Sequence, residues 1–121
     1  GDVQQAVHTI MAINPQLVEG QIEGGTLQGV GYATMEEIRH DAQGRMLNNA
    51  FATYILPTTE DAPEIDPIIV EHGYSEGPYG AKGFGEVPLM GIAPAVANAV
   101  FNATGRRIRI MPIKPEKLID C

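Results

Sequence analysis

The sequence predicts an α+β domain in which helices pack on a mixed β-sheet. Three observations predict it. Asn14-Pro15 opens a long stretch of helical character, a polar turn at residues 41–44 divides two extended stretches, and an alanine-rich apolar run closes on Gly105. The resulting order of helix, hairpin, strand, helix and strand is that of an α+β fold.

Each element has its own reason. Gly1 to Ile13 reads equally as a short helix or a strand. Asn14 is a favoured N-cap and Pro15 suits the first helical position, so a helix runs from there to about Tyr32. Five glycines fall inside it: Gly20, Gly24, Gly25, Gly29 and Gly31. Each costs up to about 1 kcal/mol against Ala, so close backbone approach must offset the sum. Gln21, Gly24, Gly25 and Gln28 share one face at helical spacing. That small polar face suits a polar ligand or tight packing. Thr34 to His40 reads as a strand, Asp41–Gly44 as a turn, and Arg45 to Leu56 as the returning arm of a hairpin. Thr58 to Pro67 is an acidic loop; its carboxylates suit solvent better than a cation site, because Pro63 and Pro67 interrupt them. Ile68 to Glu71 is a short strand. Leu89 to Ala103 is a helix with Pro94 at or near its start, and Gly105 is its C-terminal stop. Ile108 to Met111 alternates as a strand, and Pro115 opens a last helical turn.

Composition narrows the function. At 121 residues the chain fits one domain, residues 1–121, large enough for a core. Its net charge of −7 argues against a nucleic-acid partner. Six of the eight basic residues lie from Lys82 onward, with Arg106, Arg107 and Arg109 clustered. That cluster is a solvated or interface-facing strand end, or a site for an anionic cofactor or partner. The single cysteine, Cys121, permits no internal disulfide, and a cytoplasmic location is expected. No apolar run reads as long enough for a membrane span, and the first residues lack the pattern of a signal peptide. The chain starts with Gly rather than Met, which points to processing, trimming or a tag.

The stretch from Gly77 to Glu86, G-P-Y-G-A-K-G-F-G-E, carries the chemistry. Its glycines allow close backbone approach, its N–H groups suit an oxyanion-bearing ligand, and a single carboxylate ends it. It is neither a Walker loop nor a dinucleotide fingerprint. Ser75 lacks a nucleophile-elbow context, and His8, His40 and His72 have no metal-ligand spacing. Glu86 is left as a general base or as a cap of the helix that follows.

G-A-K-G-F-G-E-V-P, with N-P-Q-L-V-E-G-Q-I-E-G-G-T-L-Q-G-V-G-Y-A before it, resembles the C-terminal part of the molybdopterin-binding subunit of the xanthine dehydrogenase and aldehyde oxidase family. A-P-A-V-A-N-A-V-F-N-A-T-G and I-R-I-M-P-I-K-P-E-K-L are similar to that family's closing segment. The likeness runs from about Ile13 to Ile119 in the family's order. Before it, Val7 to Met11 lacks the Asp and Gly of the family's V-x-D-x-G pattern.

The resemblance implies an oxidoreductase that hydroxylates a heterocycle or aldehyde with water-derived oxygen. It implies a molybdenum ion held by molybdopterin, with no protein side chain on the metal. By position, Glu86 matches the family's glutamate base. Gly80, Ala81, Lys82, Gly83, Phe84 and Gly85 match the cofactor loop, and Gln21 matches a glutamine beside the cofactor. The 2Fe-2S clusters, the FAD and the rest of the molybdenum-binding subunit are then expected on other segments or chains. The isolated chain is expected to be inactive and to self-associate through an exposed apolar face. The alternative is a non-catalytic interaction or scaffold module built on the same fold.

Overall fold

The computed structural model describes residues 3–9 and 12–119. Cys121 lies outside the described residues. Two helices cross against a short turn and form the centre of the structure. The first, α1 (Pro15–Thr34), begins as the sequence requires: Asn14 is extended at φ −135°, and its Oδ1 accepts the Leu17 N–H at 3.2 Å. At its other end the Met35 and Glu36 N–H groups both donate to the Gly31 carbonyl, at 2.9 and 2.8 Å. The second, α2 (Ile92–Thr104), stops at Gly105. Gly105 is left-handed at φ 73° and donates its N–H to Phe101 O at 2.7 Å. A four-residue helix, α3 (Glu116–Ile119), closes the described chain.

The core lies between α1 and α2. Ile22, Thr26 and Ala33 of α1 and Ile92, Ala93 and Ala97 of α2 are buried, with Pro88 between the helices and Ile113 sealing one end. Glycine makes this approach possible. A Cβ on Gly29 would lie 2.5 Å from Ile92 Cβ, and one on Gly25 would lie 2.8 Å from Pro88 Cβ. Both distances are far inside van der Waals contact, so any side chain would force the helices apart. The glycines therefore offset their helix cost through packing at these two positions.

Two strands, β1 (Val3–Thr9) and β2 (Ile65–Glu71), pair in parallel, with Val3 opposite Ile65 and Thr9 opposite Glu71. The Ala12 N–H donates to Glu71 Oε1 at 2.8 Å, tying the segment between β1 and α1 to the end of β2. The sequence left residues 1–13 open between helix and strand, and started the later strand at Ile68 rather than Ile65. Among the described residues the sheet has these two parallel strands, not the mixed arrangement expected.

The expected hairpin is reduced to its tip. Gly44 takes φ 81°, and Asp41 Oδ1 accepts the N–H groups of Gln43 and Arg45 at 2.9 and 2.8 Å. Beyond this turn only His40 and Met46 form a bridge, extended by one bond from Leu47 N–H to Arg39 O. Neither Thr34–His40 nor Arg45–Leu56 is a strand. Asn48 holds the arms together instead. It is buried, its Nδ2 donates to Glu37 O, and its Oδ1 accepts the Arg39 N–H. Ile108–Met111 is likewise irregular rather than a strand. It is held by Lys117 Nζ, which donates to Pro112 O at 2.9 Å, and by Ile113 N–H, which donates to Ala33 O at 2.6 Å. Lys114 pairs with Glu37 beside it.

Among the described residues one window, Val87–Thr104, is long and apolar enough by composition to cross a membrane, with a mean hydropathy of 1.3. This corrects the expectation that no run is long enough. Its continuous helix, however, is the 13-residue α2. At 1.5 Å per residue that is about 20 Å, short of the roughly 30 Å of a bilayer core.

Candidate functional site

The glycine-rich stretch divides into an anchored turn and a bare strip. The turn spans residues 74–81. The Tyr74 N–H donates to Gly80 O at 3.2 Å, Gly77 N–H to Tyr74 O at 3.1 Å, Gly80 N–H to Gly77 O at 3.0 Å, and Ala81 N–H to Pro78 O at 3.0 Å. Gly77 is obligatory, since a Cβ there would sit 2.1 Å from the Ala81 carbonyl oxygen. Tyr79 is held left-handed at φ 53° and is 89% exposed. A non-glycine residue in that region is uncommon and requires the surrounding bonds to hold it.

After Ala81 the bonding stops. The backbone N–H groups of Lys82, Gly83, Phe84, Gly85 and Glu86 donate to no described residue. The next bond is Leu89 N–H to Glu86 O at 3.1 Å, which opens a single helical turn over Val87–Leu89. The Glu86 side chain makes no capping hydrogen bond to that turn and is exposed. The capping role therefore falls away. Gly83 and Gly85 face open space, with nothing within 4 Å of a Cβ built on either. The Lys82 ammonium lies 4.8 Å from the centre of the Tyr74 ring and has no carboxylate in ion-pair reach among the described residues. Five free N–H groups and an unneutralised cation make a local anion-favouring surface on an acidic chain.

Helix α1 forms the other side. Ala81, Lys82 and Phe84 share a cleft of about 260 Å³ with Ile13, Asn14, Leu17 and Val18. Two turns further along, Gly25 touches Pro88. Leu17, Gln21 and Gly25 follow one another at i, i+4 and i+8, so they lie on one stripe. Gln21 thus stands between the helix position that shares the cleft with Phe84 and the one that touches Pro88. Glu86 stands between Phe84 and Pro88 on the strip. Gln21 is exposed, and helical spacing puts it on the α1 stripe that meets the strip at Phe84 and at Pro88. Gly24 and Gln28 are exposed, and only Gly25 of the small polar face is used in packing.

The other candidates are structural. Arg107 stacks on Phe101, 3.8 Å from its centroid, and donates to Asn98 Oδ1 at 2.7 Å. Arg106 donates to Leu118 O. Two of the three clustered arginines are therefore committed within the chain, which favours a structural role for that cluster over anion binding. Asp61 accepts Thr58 N–H and Oγ1–H at 2.8 and 2.9 Å, and the acidic loop forms no metal cluster among the described residues. Tyr74 is the residue that sequence reasoning missed. Its ring contact with Lys82 follows from the closed turn, and no local pattern signals it.

Comparisons with known proteins decide the relationship. A family model described as a molybdopterin cofactor-binding domain matches residues 10–63. A xanthine dehydrogenase molybdenum-binding subunit of Escherichia coli is 38% identical over 109 residues, covering 89% of this chain and 14% of the relative. An aldehyde oxidoreductase molybdenum-binding subunit of the same species is 39% identical over 110 residues, covering 89% of this chain and 15% of the relative.

The chain belongs to the xanthine dehydrogenase and aldehyde oxidase family of molybdenum hydroxylases.

The structures of this family agree. Quinoline 2-oxidoreductase from Pseudomonas putida superposes with a TM-score of 0.87 at 33% identity, over 96% of this chain and 15% of that one. The aldehyde oxidoreductase from Desulfovibrio desulfuricans does so with a TM-score of 0.86 at 33% identity, over 97% and 13%. The chain thus spans about one-seventh of the length of these molybdenum hydroxylases. The open strip, its free N–H donors and the uncapped Glu86 fit a large polar cofactor such as molybdopterin laid against them.

Proposed function

We propose that residues 1–121 act as one unit of a molybdenum hydroxylase that hydroxylates a heterocycle or an aldehyde with oxygen from water. The observation that carries this reading is the unbonded strip Lys82–Glu86, which runs beside the Leu17–Gln21–Gly25 stripe and ends in a carboxylate not used as a cap.

In this reading Gly80, Ala81, Lys82, Gly83, Phe84 and Gly85 form one wall for molybdopterin, and Gln21 faces it from α1. The free N–H groups would donate to oxygen atoms of the cofactor, where glycine lets the backbone come close. Bound there, molybdopterin would supply a molybdenum centre able to take up the hydride, two electrons with their proton, displaced from the substrate carbon. Glu86 is the general base. Its carboxylate takes a proton from the oxygen nucleophile as that oxygen adds to the electron-poor carbon, and then holds that proton through the step. The Val87–Leu89 turn and the Gly25–Pro88 contact fix the backbone on which Glu86 stands.

The remaining parts of the reaction belong elsewhere. The rest of the molybdenum-binding subunit supplies the other cofactor contacts and the substrate pocket, and segments carrying 2Fe-2S clusters and FAD remove electrons. We read the β1–β2 pair as part of a larger mixed sheet completed by that subunit, since two isolated parallel strands leave both edges unpaired. We infer a cytoplasmic location for the assembly. The test is Glu86→Ala in the complete enzyme. The reading expects turnover to be lost with molybdenum content retained; normal turnover would remove Glu86 as the base.

A further inference from the structure

Lys82 is the one cation on the open strip, and its partner is an aromatic face rather than a carboxylate. That face belongs to Tyr74, which lies outside the G-x-K-G-x-G-E pattern. Tyr74 meets the site in three ways. Its N–H donates to Gly80 O, its carbonyl accepts the Gly77 N–H, and its ring lies beside Gly77, whose missing Cβ would be 3.1 Å from it. The Tyr74 backbone is therefore part of the same turn that launches the strip, and its ring lies against Gly77 of that turn.

An ammonium over a ring is oriented without being neutralised, unlike one paired with Asp or Glu. We infer that Tyr74 is a positioning residue of the cofactor wall: it holds the Lys82 ammonium in place beside the free N–H groups, for an anionic group of the ligand. This rests on the reading of the strip as a molybdopterin wall, but does not depend on Glu86 being the base. The ring's face does the work, so the Tyr74 hydroxyl is dispensable and the ring is not.

The test uses the assembled holoenzyme with Tyr74→Phe, Tyr74→Leu, Lys82→Met, and Tyr74→Leu combined with Lys82→Met. The primary readout is molybdenum and pterin retained per polypeptide after dialysis at rising salt, with kcat and KM measured alongside. Tyr74→Phe is expected to retain cofactor as the wild type does. Tyr74→Leu and Lys82→Met are each expected to raise the cofactor dissociation constant about three- to tenfold, the range for one cation–aromatic contact. The double variant should be no worse than Lys82→Met, because the two residues act as one unit. Additive losses, or a Tyr74→Phe loss equal to that of Tyr74→Leu, would overturn the inference. Lys82→Met leaves the turn untouched, so wild-type retention in that variant would overturn it even if Tyr74→Leu failed to assemble. Active Glu86 variants would remove the base assignment and leave this coupling standing, so the two failures are distinguishable.

Discussion

Gly25 of α1 is packed directly on Pro88, two residues after Glu86, so closely that a Cβ would lie 2.8 Å from Pro88 Cβ and 3.3 Å from the Leu89 nitrogen. Proline cannot rotate away, and the backbone beside it is fixed by the Leu89 N–H to Glu86 O bond. The helix thus sets the position of the turn that carries the proposed base. Gly25→Ala should destabilise the chain by about 1–3 kcal/mol through overpacking and lower kcat in the assembled enzyme. Gly24, its neighbour, has nothing within 4 Å, so Gly24→Ala should be neutral or raise chain stability by up to about 1 kcal/mol. Thermal unfolding of the two variants checks the contrast, and equal effects would contradict the close approach.

The stability profile with pH should fall at both ends. Glu37 is held below its ordinary 4.5, chiefly by the Lys114 hydrogen bond. Asp41 and Asp61 are held below 3.8, chiefly by the backbone N–H groups of Arg45 and Thr58. Lowered carboxylates contribute stability that is present above their unfolded values and lost as pH falls through their folded values. Tyr54 is raised above 10.0, chiefly by its hydrogen bond to Glu36 at 2.9 Å. Its contribution is present below 10.0 and lost as pH rises through its folded value. The unfolding midpoint should therefore decline below about pH 4 and again above about pH 10. Tyr54→Phe should flatten the alkaline limb alone. An alkaline limb unchanged in that variant would remove the Tyr54–Glu36 bond from the account.

Self-association of the isolated chain is the third expectation. Phe51 is 91% exposed, Ile110 72% and Met90 71%, and a cleft of about 420 Å³ is lined by Ile38, Met46, Ala50, Phe51 and Tyr54 among others. Apolar surface of this kind seeks a partner. Light scattering across a wide concentration range should show growing mass, and Phe51→Lys should reduce it. A monomer throughout would contradict the reading of this face as one that is normally covered.

How much of this was legible depends on how local the cause was. Helix α1 was readable because Asn14, Pro15 and Leu17 make its cap within four residues, and the end of α2 because Gly105 alone supplies the left-handed stop. The Asp41–Gly44 turn is equally local. The stretch 34–40 reads as extended and 108–111 alternates as strands do, yet a strand exists only with a partner edge, and local sequence does not name one. Strand β1 was ambiguous for the same reason, since its partner lies some sixty residues away. The glycine face of α1 was read as one surface. The wheel was right, but which glycine meets Pro88 and which meets open space is a tertiary fact. At the site, the strip and Glu86 stood out as a motif, whereas Tyr74 was found only from the closed turn that brings its ring to Lys82.

The most direct test of the central claim is the rate at which substrate reduces molybdenum in the assembled Glu86→Gln enzyme, followed by rapid mixing with cofactor content measured on the same sample. Glutamine keeps the size and removes the base. The account predicts full cofactor content with reduction slowed about 10²- to 10⁴-fold, the usual contribution of a positioned general base. Reduction at the wild-type rate in a fully loaded enzyme would contradict it.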